Sequence, residues 1–462
     1  MKASAKIDAE IRRQHLRPEL MMTTTSDLIP TPAPDDPGGK DLQRRDPARK
    51  GRIGLIVLGS WAAGVVAAAL LVVAPVVPAT TSAVTGSVLC GFALGWAVLA
   101  VLSVRFADQP QRWAFAPAVL MGVGGVLLVL FGSAVQPVLN WIWPPVMLVL
   151  SIWMTVRVRR ALPGSRSRWV LYTVSVLLAL ASIGGAYQTI GEAADAQANP
   201  MPGQLIDVGD HSLHLNCTGA GSPTVVIEAG GGAMASDMAQ ISEAVAGDTR
   251  VCVYDRAGRG WSRSAQASPH GIQIATELHT LLQRAQVPGP YVLAGHSFGG
   301  LYVQTYAARY PSDVAGMVLI DSTAPNAAVS EYAARPYVLD RVFALVSSSA
   351  QLGLGHLFGA TARDVRSTID EYADAGDAVK QAASLTDFGG KPLFVVTAGT
   401  GSDAAWFVAQ DRMAASSTNS AHRVIQSASH QALVAEPDGV AATARAILDV
   451  VASVRSGEPL AK

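Results

Sequence analysis

The distribution of apolar and polar residues divides the chain in two. Between residues 53 and 190 lie five apolar runs, roughly Gly54–Val77, Ala83–Val104, Trp113–Val135, Val138–Val156 and Trp169–Ile190, and none contains Asp, Glu, Lys, Arg or His. Each is about 19–24 residues, the length an α-helix needs to cross ~30 Å of hydrocarbon. Trp113, Trp141, Trp143 and Trp169 stand at or near run ends, where interfacial aromatics belong. The pair Pro144-Pro145 makes the fourth run the weakest helix of the set. With no ionisable group inside any run, the block reads as an anchor rather than an ion or solute pathway.

After residue 203 the pattern changes to short strands alternating with helical stretches. Gln204–Val208 and His211–Asn216 flank a Gly209-Asp210 turn and predict a hairpin. Four near-continuous apolar runs, Thr224–Ile227, Arg250–Tyr254, Tyr291–Ala294 and Gly316–Ile320, predict buried strands, as do Pro392–Thr397 and Arg423–Gln426. Helical spacing covers Ile272–Ala285 and Val440–Val454 between and after them. That alternation predicts a mostly parallel sheet covered on both faces. Residues 325–390 carry no strand signal, only helical pieces such as Val338–Val346 and Thr361–Ala373. They predict a helical cap inserted between two sheet strands. The expected organisation is a disordered cytoplasmic tail over 1–52, a membrane region of about five helices over 53–190, a linker over 191–203 and a catalytic domain over 204–455.

Charge orients this arrangement. The net charge is zero over 462 residues, but residues 1–190 carry 18 Lys and Arg against 9 Asp and Glu, and residues 191–462 carry 17 against 26. The tail and the loops holding Arg105, Arg112, Arg157, Arg159, Arg160, Arg166 and Arg168 alternate with uncharged loops. The positive-inside rule then places the N-terminus in the cytoplasm and everything after Ile190 outside it. Residues 191–249 hold eight acidic residues and no Lys or Arg, which fits an exterior domain. No dense basic patch with interleaved aromatics exists, so no nucleic-acid partner is expected. Three cysteines exclude a disulfide framework and a thiolate metal cluster.

The candidate chemistry centres on Gly295-His296-Ser297-Phe298-Gly299, which follows an apolar strand and precedes a helical stretch. A serine on so sharp a strand-to-helix turn is a nucleophile elbow. Its hydroxyl needs a base. His430, after the last strand, stands at the carboxyl end of the sheet where such sites gather. The base needs a carboxylate, and three are available: Asp403, favoured from chain order, then Asp321 and Asp411. The two amide donors for a tetrahedral intermediate are expected from Phe298 and from the run Gly230-Gly231-Gly232, with Gly231 preferred over Gly232.

These residues resemble the α/β-hydrolase superfamily over about 203–455. The likeness rests on the elbow, on Glu228-Ala229-Gly230-Gly231-Gly232, on Cys217-Thr218-Gly219-Ala220-Gly221-Ser222-Pro223, and on Tyr254-Asp255-Arg256-Ala257-Gly258 with Gly260-Trp261-Ser262. The resemblance implies an eight-stranded, mostly parallel sheet with a lid after the sixth strand, and serine-type hydrolysis; its strand order also makes the strands of Cys217 and Cys252 neighbours, so that outside the cytoplasm the two are expected to form a disulfide. Relatives often place the acid at Gly-x-x-Asp after the seventh strand, whereas here Gly399 is followed by Asp403 one residue late. The expected activity is cleavage of a small-molecule or lipid-like ester through an acyl-enzyme, with no cofactor and no metal, by a protein held in the bilayer. An amide or peptide hydrolase and a non-catalytic sensor on the same fold are the alternatives. Epoxide or haloalkane hydrolysis would want a carboxylate where Ser297 stands.

Overall fold

The computed structural model describes residues 52–163, 165–263, 270–325, 337–355 and 362–461. The tail expected over residues 1–52 lies outside them except for Arg52, the first residue of α1. Five helices are long and apolar enough to cross a membrane: α1 Arg52–Val73, α2 Thr81–Phe106, α3 Phe115–Phe131, α4 Gln136–Ala161 and α5 Ser167–Ala198. α4 carries Pro144 and Pro145 in its interior without ending there. The linker expected over 191–203 is shorter than its composition suggested. α5 runs on to Ala198, because the segment Glu192–Ala198 is polar but rich in alanine and free of Gly and Pro.

The rest of the chain builds one eight-stranded sheet. Its strands are β1 Gln204–Asp207, β2 Ser212–Thr218, β3 Thr224–Glu228, β4 Val251–Tyr254, β5 Tyr291–His296, β6 Val314–Ile320, β7 Leu393–Ala398 and β8 Ser420–Ile425. They lie in the order β1-β2-β4-β3-β5-β6-β7-β8. The β1/β2 and β2/β4 pairs are antiparallel and the remaining pairs are parallel. The central strands β3, β4 and β5 are buried at every position, which explains why they read as unbroken apolar runs. Helices α6 Ala239–Ala246, α7 Gly271–Arg284, α8 Phe298–Arg309, α9 Tyr337–Ser349, α10 Ala362–Ala373, α11 Ala375–Ala382, α12 Ala404–Ala414, α13 Ala432–Ala435 and α14 Pro437–Ser456 complete the fold. Two apolar cores result, one on each face of the sheet. Ile241, Ile447 and Val450 help fill the first, and Leu278, Val303 and Tyr306 the second.

Cys217 and Cys252 face each other in the β2/β4 register and are joined, with Cα atoms 4.0 Å apart. The cap is the stretch between β6 and β7. Its described part consists of α9, a short turn Ala350–Leu354, α10 and α11.

Candidate active site

Ser297 sits between β5 and α8 with φ +52° and ψ −120°, a conformation rarely held by a non-glycine residue. The turn persists because its surroundings leave no other path. A Cβ on Gly295 would lie 2.6 Å from the Gly299 carbonyl oxygen, and one on Gly299 would meet the Glu228 and Ala229 carbonyls. The backbone is pinned as well: the Ser297 amide donates to the Ile320 carbonyl at 3.1 Å, and the Thr323 amide donates to the Ser297 carbonyl at 3.1 Å. Strain at Ser297 is therefore held by β6 on one side and the β3 loop on the other.

His430 lies in the loop after β8, with its side chain 42% exposed. Its Nδ1 is 2.6 Å from Oδ2 of Asp321, a buried residue directly after β6. Asp321 itself has φ +43°. Its Oδ1 accepts from the indole nitrogen of Trp406 at 2.7 Å and from the Ala398 amide at 3.2 Å. Burial pushes this carboxyl up, but the hydrogen bonds from His430 and Trp406 and the His430 charge outweigh it, and the net shift is downward. An ionised carboxylate can only accept, so the hydrogen of this bond is on His430 Nδ1.

The acid preferred from chain order is thereby corrected. Asp403 does not meet His430. It is exposed and caps α12, its Oδ1 accepting from the Trp406 amide at 2.8 Å. The glycine-rich segment Gly399–Ser402 carries the chain past the strand end, so this carboxylate meets the first turn of a helix instead. Asp411, the third candidate, pairs with His422 Nδ1 at 2.7 Å, away from His430.

His296, the variable residue of the elbow, lies at van der Waals distance from the base. Its ring is 4.5 Å from the His430 ring, and its Nε2 donates to the His430 carbonyl at 3.3 Å. A carbonyl only accepts, so Nδ1 of His296 is the bare nitrogen, and it is buried without a partner among the described residues. Burial, then the like charge of His430, lower this imidazole to about 4.

The glycine run lies against the elbow. A Cβ on Gly230 would lie 3.2 Å from Ser297 Cβ, and one on Gly231 would lie 2.9 Å from the Phe298 ring. Gly232 is committed elsewhere: its amide donates to Glu371 Oε2 at 2.8 Å. That carboxylate comes from the cap and joins a buried charge cluster the sequence reading missed. Glu371 pairs with Arg256 at 2.7 Å and Arg259 at 2.9 Å, and Arg256 also pairs with Glu228 at 2.6 Å. The two arginines hold the glycine run from behind, Arg256 donating to the Ala229 and Gly230 carbonyls and Arg259 to the Gly232 carbonyl, at 2.7–2.8 Å. Tyr254 donates its hydroxyl to Glu228, and Tyr302 donates to Glu371 at 3.1 Å. Burial raises the Glu228 carboxyl against the opposing pull of Arg256 and Tyr254. A charge at the end of each of two adjacent buried strands, Glu228 on β3 and Arg256 after β4, was the available signal for half of this cluster.

An eight-stranded sheet in this order, a strained serine at the β5–α8 turn and a histidine–aspartate pair after β8 and β6 constitute one known architecture. Residues 223–388 match the family described as alpha/beta hydrolase fold. This part of the chain has the α/β-hydrolase fold. An uncharacterised protein of Schizosaccharomyces pombe is 36% identical over 152 residues, covering 26% of this chain and 28% of that protein. The uncharacterised YqjL of Bacillus subtilis is 32% identical over 111 residues, covering 24% and 43%. The chain thus spans less than half the length of these curated relatives. Among solved structures, a thermophilic esterase from Thermogutta terrifontis is 22% identical, with 55% of this chain and 100% of that chain covered and a TM-score of 0.44.

Proposed function

We propose that this protein is a membrane-anchored serine hydrolase that cleaves an ester through an acyl-enzyme. The observation that carries the reading is the 2.6 Å contact between His430 Nδ1 and Asp321 Oδ2, beside a serine held at φ +52°. In this mechanism Ser297 Oγ attacks the ester carbonyl while His430 Nε2 takes its proton. The amides of Phe298 and Gly231 receive the developing oxyanion at the N-terminus of α8. The proton passes from Nε2 to the departing alcohol as the acyl C–O bond breaks, leaving the acyl group on Ser297. Water, deprotonated by the same nitrogen, then releases the acid and restores the serine. Asp321 stabilises the imidazolium in both halves and does not itself take the proton.

Ser297→Ala, with its fold intact by circular dichroism, is expected to lose hydrolysis of an activated ester on the order of 10⁶-fold and to lose labelling by a fluorophosphonate probe. Near-normal turnover by that variant would end the esterase reading, and labelling of the native chain without turnover would favour a sensor. The arginine-bearing loops and the Cys217–Cys252 bond support placing the catalytic domain on the extracytoplasmic side. A reporter active only outside the cytoplasm should then work when fused after Gly203 and fail when fused after Arg160; the opposite pattern reverses the orientation.

A further inference from the structure

Helix α9 of the cap is amphipathic in the inverted sense. At about 100° per residue, Val338, Leu339, Val342, Leu345 and Val346 fall within an arc of about 120°. All five are between 38 and 56% exposed. Leu352 and Leu354 extend the exposed apolar surface through the following turn. Ser349 also falls in this arc, its hydroxyl donating to the Val346 carbonyl at 2.6 Å, but Arg341 and Ser348 point the other way. Arg341 is buried and donates to the Val77 carbonyl at 2.9 Å, and Ser348 Oγ lies 2.7 Å from Thr85 Oγ1. A helix facing water would bury its aliphatic stripe and expose its arginine.

The partners of the inward face explain the inversion. Val77 lies in the α1–α2 loop and Thr85 in the first turns of α2. Ala344 packs against Val72 and Val84, which belong to α1 and α2. Arg366 of α10 donates to the Ala79 carbonyl of the same loop at 2.9 Å. The turn after α9 reaches α5, where a Cβ on Gly184 would collide with the Leu352 carbonyl. Gly184 lies about 22 Å along α5 from Trp169, at ~1.5 Å per residue, and the hydrocarbon layer is ~30 Å thick. The contact therefore falls within the apolar length of α5, which continues to an exposed Ile190. The stripe on α9 is thus continuous with the outward faces of the spanning helices. It is purely aliphatic, without the Tyr, Trp or Arg that mark protein interfaces.

We propose that this face of α9, with Leu352 and Leu354, is sunk in the bilayer leaflet on the cap's side, and that the ester is an acyl lipid entering the site from that leaflet. The route is short. α10 packs beside α9 and sets Tyr372 with its ring 5.0 Å from the Phe298 ring, next to Ser297. The identity of the substrate rests on the esterase reading above; the burial of α9 in lipid does not.

The test uses the full chain in phosphatidylcholine vesicles. In a Cys90→Ala background, Val342→Cys carries an environment-sensitive fluorophore, with Lys380→Cys on α11 as the control. The label at 342 is expected to be quenched by nitroxides on lipid acyl chains and spared by aqueous iodide, and the label at 380 to behave in the opposite way. Iodide quenching at 342, or shielding from both quenchers as in a protein interface, overturns the lipid placement. For the substrate, Val342→Asp with Val346→Asp should leave hydrolysis of a water-soluble acetate ester unchanged and lower that of a vesicle-embedded long-chain ester at least tenfold, since each carboxylate resists the leaflet. An equal loss on both esters, or none on the embedded one, overturns lipid entry. If the native chain cleaves neither ester while 342 is still quenched from the lipid, the hydrolase reading and the substrate fail and the placement of α9 stands.

Discussion

The helix block and the hydrolase domain bury opposite things. In the hydrolase domain the apolar residues are inside, and the polar groups that join them there include paired ones: Glu228, Arg256, Arg259 and Glu371 form one cluster, His214 and Asp255 a second contact at 2.8 Å. In the helix block many large aliphatics point outward, Leu180 among them at 60% exposed, and the helices meet through small residues as well as a core that holds Leu99, Met154 and Leu171. A Cβ on Gly95 would lie 3.0 Å from Gly64 Cα, and one on Gly91 would collide with the Ala68 backbone. Between helices in lipid no hydrophobic force is available, so close backbone contact takes its place. In water the sheet supplies that force and leaves polar pairs to fix geometry. On the membrane-anchored reading proposed above, the two regions follow opposite patterns because their solvents differ, and α9 obeys the rule of the helix block although it belongs to the other domain.

The largest expected effect lies in the paired charges. Asp321→Asn should lower ester turnover on the order of 10⁴-fold by leaving His430 in the wrong tautomer. Asp403→Asn should leave turnover near normal, and Asp403→Ala should cost only about 1 kcal/mol of stability as a lost helix cap. Steady-state kinetics with thermal unfolding decides between them; the reverse order would return the acid to Asp403.

Glu371→Gln removes one negative charge from between two buried arginines, and about 3–5 kcal/mol of stability should go with it. Because the same carboxylate holds the Gly232 amide, kcat should fall while KM changes little. Denaturant melts with kinetics on a soluble ester would show this, and an unchanged kcat would reduce the cluster to a structural role.

The contrast between regions can be broken at one exposed site in each. Leu180→Asp on α5 should cost about 3 kcal/mol of membrane insertion. Val408→Asp on α12, at 48% exposed a comparable surface position, should stay within about 0.5 kcal/mol. Insertion yield and melting temperature measure the two, and equal costs would mean that the block does not face lipid.

The remaining effect depends on pH. The folded-state value of His296 is about 4 against an ordinary value of 6.5, so below neutrality the unfolded chain binds the extra proton. The associated stability, up to about 3 kcal/mol, is full above about pH 6.5 and lost as pH falls through about 4. A His296→Asn variant should show a flatter stability profile over that window; identical slopes would show that His296 does not carry the dependence.

The parts of this molecule that could be read from sequence are those with a period or a local motif. Five charge-free runs give five helices, and alternating apolar strands give the sheet. Gly295 and Gly299 reveal the elbow because backbone approaches at both. His430 was legible from its place after the last strand. Its carboxylate partner was not, because Asp321 and Asp403 both follow strand ends ahead of His430, and only the path of the chain after Ala398 separates them. Glu371 left no signal, since its arginine partners lie more than a hundred positions upstream and its helix reads simply as amphipathic. The polar stretch after Ile190 misled for a related reason: charge marks the end of an apolar run, not the end of a helix.

α5 ends at Ala198 and β1 begins at Gln204, so Asn199–Gly203 is the whole covalent leash between the two regions. Five residues reach at most about 17 Å when fully extended. On the proposed reading, a domain on so short a leash, docked through α9 on α1 and α2, stays against the membrane surface, where its encounter rate with a lipid substrate is set by diffusion in two dimensions. A substrate dissolved in bulk gains nothing from that confinement, whereas one resident in the plane meets the enzyme at an effective concentration fixed by the leash rather than by the volume of the compartment.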